Sequence, residues 1–124
     1  MSTNEKLNEV IKKYRHYPNF LGIDILDVNQ RGSIDDTMLH IAAWKGELAD
    51  MEILIGAGAN ANAKGDLGNT PLHNAAMKGQ LEGVRILLRH GANPNLTNEF
   101  GQTPLVVAEL GKQAEVVKFL RARQ

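Results

Sequence analysis

Four histidines, His16, His40, His73 and His90, are the residues of this 124-residue sequence that first suggest chemistry. A zinc centre needs three or four ligands converging at about 2.0–2.1 Å from the metal, yet these histidines are scattered singly along the chain. There is no cysteine, which excludes disulfides, thiolate nucleophiles and Cys-based zinc sites. The two serines, Ser2 and Ser33, have no adjacent histidine. Gly56-Ala57-Gly58 lacks the further glycine of a dinucleotide fingerprint, and Gly111-Lys112 lacks the upstream glycine and the Ser/Thr of a phosphate loop. The acidic pairs Asp35-Asp36 and Asp24/Asp27 fall where turns are expected, and there carboxylates cap or solvate. No catalytic residue, metal ligand or cofactor is therefore expected, and the chain reads as non-enzymatic.

What spaces these residues is more informative than the residues themselves. His40 and His73 close two copies of one tetrapeptide, Thr37-Met38-Leu39-His40 and Thr70-Pro71-Leu72-His73, and a third copy stands at Thr103-Pro104-Leu105-Val106. The interval is 33 residues each time, a period that signals stacked structural repeats. In residues 70–102 Thr70 suits a helix N-cap and Pro71 the first helical position, where its missing N–H costs nothing. Leu72, Ala75 and Ala76 form a narrow apolar stripe, and Gly79 permits the positive φ that ends a short helix. Leu81, Val84, Leu87 and Leu88 then mark one buried face of a second helix. Gly91 closes it, and Asn93-Pro94-Asn95 leads into an extended arm turning at Glu99-Phe100-Gly101-Gln102. The same roles recur at Thr37, Leu39, Ala42-Ala43, Gly46, Leu48, Met51 and Leu54. They recur again at Thr103, Leu105, Ala108, Ala114, Val117 and Leu120.

Gly68-Asn69-Thr70-Pro71-Leu72-His73-Asn74-Ala75-Ala76, with Gly58-Ala59-Asn60-Ala61-Asn62 and Gly91-Ala92-Asn93-Pro94-Asn95 as unit endings, closely resembles the ankyrin repeat over roughly residues 28–124. The resemblance implies an all-α ankyrin repeat solenoid, helix-turn-helix units joined by β-hairpin loops. Residues 1–36 are expected to form a divergent N-terminal cap, 37–69 and 70–102 two full repeats, and 103–124 a truncated capping repeat. The resemblance also implies that His40 and His73 hydrogen-bond around a helix start and the neighbouring arm. Met38, Asp35 and Val106 depart from the motif's proline, glycine and histidine.

At the leading end, Leu7, Val10, Ile11 and Tyr14 give one apolar face to a helix near residues 4–16, with Lys6, Lys12, Lys13 and Arg15 outward. Moving the frame back by one period sets Asp27-Val28-Asn29 on Asn60-Ala61-Asn62, as in a decayed repeat. Pro18 and Gly22 should leave Tyr17 to Asp27 irregular.

Fourteen basic and fourteen acidic residues give a formal net charge of +0, so no global field draws nucleic acid or an anionic membrane. Without an apolar leader or a long apolar run, a cytoplasmic protein is expected, monomeric when free. Asn95-Leu96-Thr97 fits a glycosylation acceptor but reads as accidental without a leader.

In ankyrin repeats the arm tips and the exposed side of each first helix make a concave recognition surface. Carried onto this sequence, the tips bring Arg31, Ile34, Lys64, Asp66, Leu67 and Phe100, and the helices bring Trp44, Met77 and Lys78. These nine are the expected partner-binding residues. Ile34, Leu67 and Phe100 make one apolar column at the 33-residue period, and Trp44, Met77 and Leu110 a second. Apolar strips rimmed by charge mark protein-binding faces, and tryptophan is enriched among hot spots. The competing reading is that both columns pack between adjacent repeats. The expected partner is thus another protein, across about 800 Å² per side. In size and in the lead segment Tyr17-Pro18-Asn19 the chain also resembles small bacterial ankyrin immunity proteins that neutralise a cognate toxin. Further alternatives are a structural subunit of a larger assembly and a small-molecule enzyme accessory, the latter needing convergent polar groups in a closed pocket.

Overall fold

Neighbouring helices share their burial here because none is broad enough to bury itself. The computed structural model describes residues 2–25 and 27–123, and among these it forms seven α-helices. The first, α1 (Thr3–Tyr14), is capped by the Ser2 side chain accepting from the Glu5 N–H. Three helix pairs follow: α2 (Met38–Lys45) with α3 (Leu48–Gly56), α4 (Pro71–Met77) with α5 (Leu81–Arg89), and α6 (Pro104–Leu110) with α7 (Ala114–Ala122). Thr37, Thr70 and Thr103 sit extended just before α2, α4 and α6, and each hydroxyl accepts the N–H three residues on. Each thereby satisfies one donor left unpaired at a helix start.

Helices α2, α4 and α6 stack as an inner row, and α3, α5 and α7 as an outer one. Ala42, Ala43, Ala75, Ala76 and Ala108 are fully buried, so the inner helices approach closely. Between the rows lie Leu39, Met51, Leu54, Leu72, Val84, Leu87 and Leu120, all buried. Leu48, expected on that face, stands over a third exposed because it is the first residue of α3, at the edge of the stack. In α7 the buried pair is Val116 and Leu120 rather than Val117 and Leu120. That i, i+4 pair lies on one helix face.

The inner helices end on a left-handed residue: Gly46 at φ 72°, Gly79 at φ 70° and, one period later, Lys112 at φ 55°. The arms contain no β-strand among the described residues, unlike the hairpins expected. Each instead closes on a tight turn, with bonds from Gly32 N to Asp36 O (2.8 Å), Gly65 N to Asn69 O (2.8 Å) and Asn98 N to Gln102 O (2.9 Å) and shorter turn bonds inside them, while Glu99 N donates to Leu67 O (3.0 Å) between arms. Side chains add most of the remaining cross-links between units. The Asn29 amide donates to Gly58 O and its oxygen accepts from Asn60 N. Asn62 repeats both bonds with Gly91 O and Asn93 N.

The leading segment departs most from the repeat. α1 packs against α3 in the outer row, where the Tyr14 hydroxyl donates to Asp50 at 3.0 Å and Lys13 pairs with the same carboxylate at 2.8 Å. Burial, and then the Asp50 charge, push the Tyr14 phenol well above its ordinary pKa. Among the described residues no inner helix lies beside it. A single 3₁₀ turn, Pro18–Phe20, stands there with Phe20 buried, and the stretch to Asp27 is otherwise irregular, Leu26 lying outside the described residues. Among the described residues no helix is long and apolar enough to cross a membrane.

Candidate functional site

A concavity of about 750 Å³ opens where the leading segment lacks its inner helix. Tyr17, Pro18 and Asn19 form its end wall. That wall is fixed by Phe20 buried beneath it and by the Ser33 N–H donating to Asn19 O at 2.7 Å. The arm tips supply one side through Ile34, Asp36, Asp66 and Leu67; α2 and α4 supply the other through Ile41, Trp44, Lys45 and Met77. His40, Asn69 and Asn74 lie between them.

Those polar groups between the two sides are committed to the fold. Nδ1 of His40 accepts from the Thr37 N–H at 3.1 Å and lies 2.9 Å from the Thr37 hydroxyl, while Nε2 faces Asn69 O at 2.9 Å. Only the neutral ring with its proton on Nε2 satisfies all three. His73 repeats the arrangement with Thr70 and with Gln102 O at 2.8 Å. Burial lowers both imidazole pKa values, because desolvation disfavours the charged ring; a proton on Nδ1 would also set a donor against a backbone N–H. Both rings are occupied in holding helix starts to the next arm. Asn74, in turn, donates to His40 O at 3.2 Å.

Of the nine residues singled out from the sequence, Ile34, Trp44, Asp66, Leu67 and Met77 line the concavity. Ile34 (51%), Leu67 (47%) and Trp44 (40%) keep large exposed fractions, while Met77 is half-buried. Lys78 carries its ammonium 4.9 Å from the centre of the Trp44 ring. Arg31 and Lys64 stand on the arms with their head groups bonded to backbone carbonyls, Arg31 also pairing with the Asp35 carboxylate at 3.7 Å. Arg31 donates to Asp35 O (2.8 Å) and Lys64 O (2.6 Å), and Lys64 donates to Thr97 O (2.8 Å). Phe100 is 66% exposed at the third tip and does not line the concavity. Leu110, of the second apolar column, is likewise exposed and outside it.

The end wall of Tyr17, Pro18 and Asn19 was missing from the sequence-derived set. Its trace in the sequence is the absence of an inner-helix pattern one period before α2, which leaves that flank of α2 to be covered by something else. Asp36, Ile41 and Lys45 also line it from outside the nine; Lys45 sits 5.0 Å from the Tyr17 ring centre and mirrors Lys78 over Trp44.

The alternation of capped inner helices, alanine-lined contacts and asparagine-tied arms is that of a helical repeat stack. A family profile for ankyrin repeats (3 copies) matches residues 24–124. The chain belongs to the ankyrin-repeat family, whose members are generally protein–protein interaction modules without enzymatic activity. No curated protein matches the chain.

Proposed function

We propose that this protein is a non-enzymatic module that holds a partner protein against its concave face, with the hollow beside α2 as the main seat. The observation that carries this reading is the exposure of Ile34, Leu67 and Trp44 around a single hollow. Their environment favours docking over packing between repeats, since buried apolar side chains are what stack neighbours supply. Each side chain covered on binding contributes roughly 1.5–3 kcal/mol of apolar transfer before association costs. Trp44 is the anchor, Ile34, Leu67 and Met77 its apolar surround, and Asp66 and Lys78 the polar rim. Arg31 and Lys64 contribute by fixing the arms, and Phe100 extends the contact toward the third tip. Monomeric, cytoplasmic operation completes the reading.

Affinity capture from the native host with the wild-type chain and with Trp44→Ala tests it. A partner retained by the first and lost by the second, with unchanged circular dichroism, is the expected result. Equal retention by both places the interaction elsewhere. If the captured partner is a toxin, protection on co-expression distinguishes an immunity role from general scaffolding.

A further inference from the structure

The hollow is electrically lopsided, and the imbalance runs across it rather than along it. Asp36 and Asp66 stand on the arm side and Lys45 on the helix side, where Lys78, outside the lining, rests on the Trp44 ring. On the arm side, the basic groups Arg31 and Lys64 turn away to backbone carbonyls of their own and the following arms. Asp66 is exposed and Asp36 part-exposed, and among the described residues neither takes part in an ion pair. Asp36 is held in place by accepting the Asp66 N–H on Oδ1 at 2.9 Å, which also brings the two residues together. On the helix side, the two ammonium groups rest on aromatic faces, 5.0 Å from the Tyr17 centroid and 4.9 Å from that of Trp44. Between the sides lie the exposed apolar surfaces of Ile34, Leu67 and Trp44.

We infer that the occupant of this hollow is a partner segment carrying an arginine or lysine next to an apolar side chain, with the cation directed to Asp36 and Asp66 and the apolar group seated on Trp44, Ile34 and Leu67. This rests on the concave-face reading above and adds the chemistry of the segment and its orientation. Two carboxylates on one side of the hollow, neither in an ion pair with Arg31 or Lys64, gain from a cation brought by the partner. An acidic group at the same place would meet like charge on the edge of an apolar surface, which works against the wrong segment. The reverse orientation is disfavoured for the same reason by Lys45 and Lys78 on the opposite side.

The test uses a random dodecapeptide display library selected against the full-length protein, Trp44→Ala, Asp66→Asn and the Asp36→Asn/Asp66→Asn double variant. Asp66→Asn serves as the mild variant because the Asp66 side chain makes no hydrogen bond among the described residues. Asn at position 36 can still accept the Asp66 N–H. Thermal melts confirm that all four are folded. The wild type is expected to enrich peptides with Arg or Lys within two positions of an apolar residue. Those peptides should bind the double variant about tenfold more weakly or worse, with a steeper salt dependence for the wild type. Peptides that depend on Trp44 but carry no basic enrichment, or bind the double variant equally well, overturn this inference and leave the concave-face reading standing. Retention independent of Trp44, or none at all, overturns both.

Discussion

Trp44, the residue on which the binding argument leans most, is also the one whose removal should cost the fold least. The residue is 40% exposed, and the Lys78 ammonium stands 4.9 Å from its ring centre. Trp44→Ala is accordingly expected to change stability by less than about 1 kcal/mol while abolishing partner capture. A large drop in the melting temperature would instead show that the ring packs in the core. Backbone conformation gives a second test at this scale. Lys112 adopts φ 55° where Gly46 and Gly79 stand in the other units, and a side chain in that region costs about 1–2 kcal/mol. Part of that cost returns as glycine's larger entropy in the unfolded chain, so Lys112→Gly should stabilise by about 0.5–1 kcal/mol. Gly79→Ala should destabilise, because a Cβ there would run into the Gln113 amide as well as strain φ. Denaturant midpoints for both variants check the pair of opposite signs.

Elements are joined in this molecule by a repeated side-chain staple, and the staple predicts an asymmetry between equivalent positions. Asn62 ties its unit to the next through bonds of 3.1 Å and 2.7 Å. Asn95, one period later, makes no such side-chain bond among the described residues, receiving only the Asx-type contact of its own N–H with Asn93. Asn62→Ala should therefore cost about 1–2 kcal/mol, whereas Asn95→Ala should stay within about 0.5 kcal/mol. Equal losses in thermal melts would mean that the staple is not what couples the units. The helices were legible in the sequence because their signals are local: threonine caps, prolines at first positions, alanine pairs and terminating glycines. The arms were less so. Whether an extended arm pairs by backbone ladder or by asparagine and lysine side chains depends on contacts 29 to 33 residues away, which no local pattern encodes. The columns of Ile34, Leu67 and Trp44 showed through the period itself. The end wall of Tyr17, Pro18 and Asn19 did not, since it is an irregular replacement for a missing helix.

At the scale of the whole molecule, stability is a sum over neighbours, and the two buried histidines sit at the joints of that sum. In the unfolded chain an imidazole titrates near 6.5; in the fold burial holds His40 and His73 below their ordinary value. Between the folded and unfolded values the unfolded chain binds more protons, so stability is full above about pH 6.5 and declines as pH falls through the folded values. The slope is at most about 1.4 kcal/mol per pH unit for each ring. Melting temperatures measured from pH 7.5 down to 5.5 should decrease, and a flat or rising profile would contradict the neutral Nε2-protonated rings. On the reading proposed above, the same neighbour-only architecture leaves the exposed side chains around the hollow for docking. Hydrogen exchange of the backbone amides, with and without the captured partner, tests that division most directly. Protection on binding should appear in residues 31–45 and 64–78, around the hollow, and not along the outer helices α3 and α5. Protection concentrated on those outer helices, with the hollow unchanged, would contradict the account.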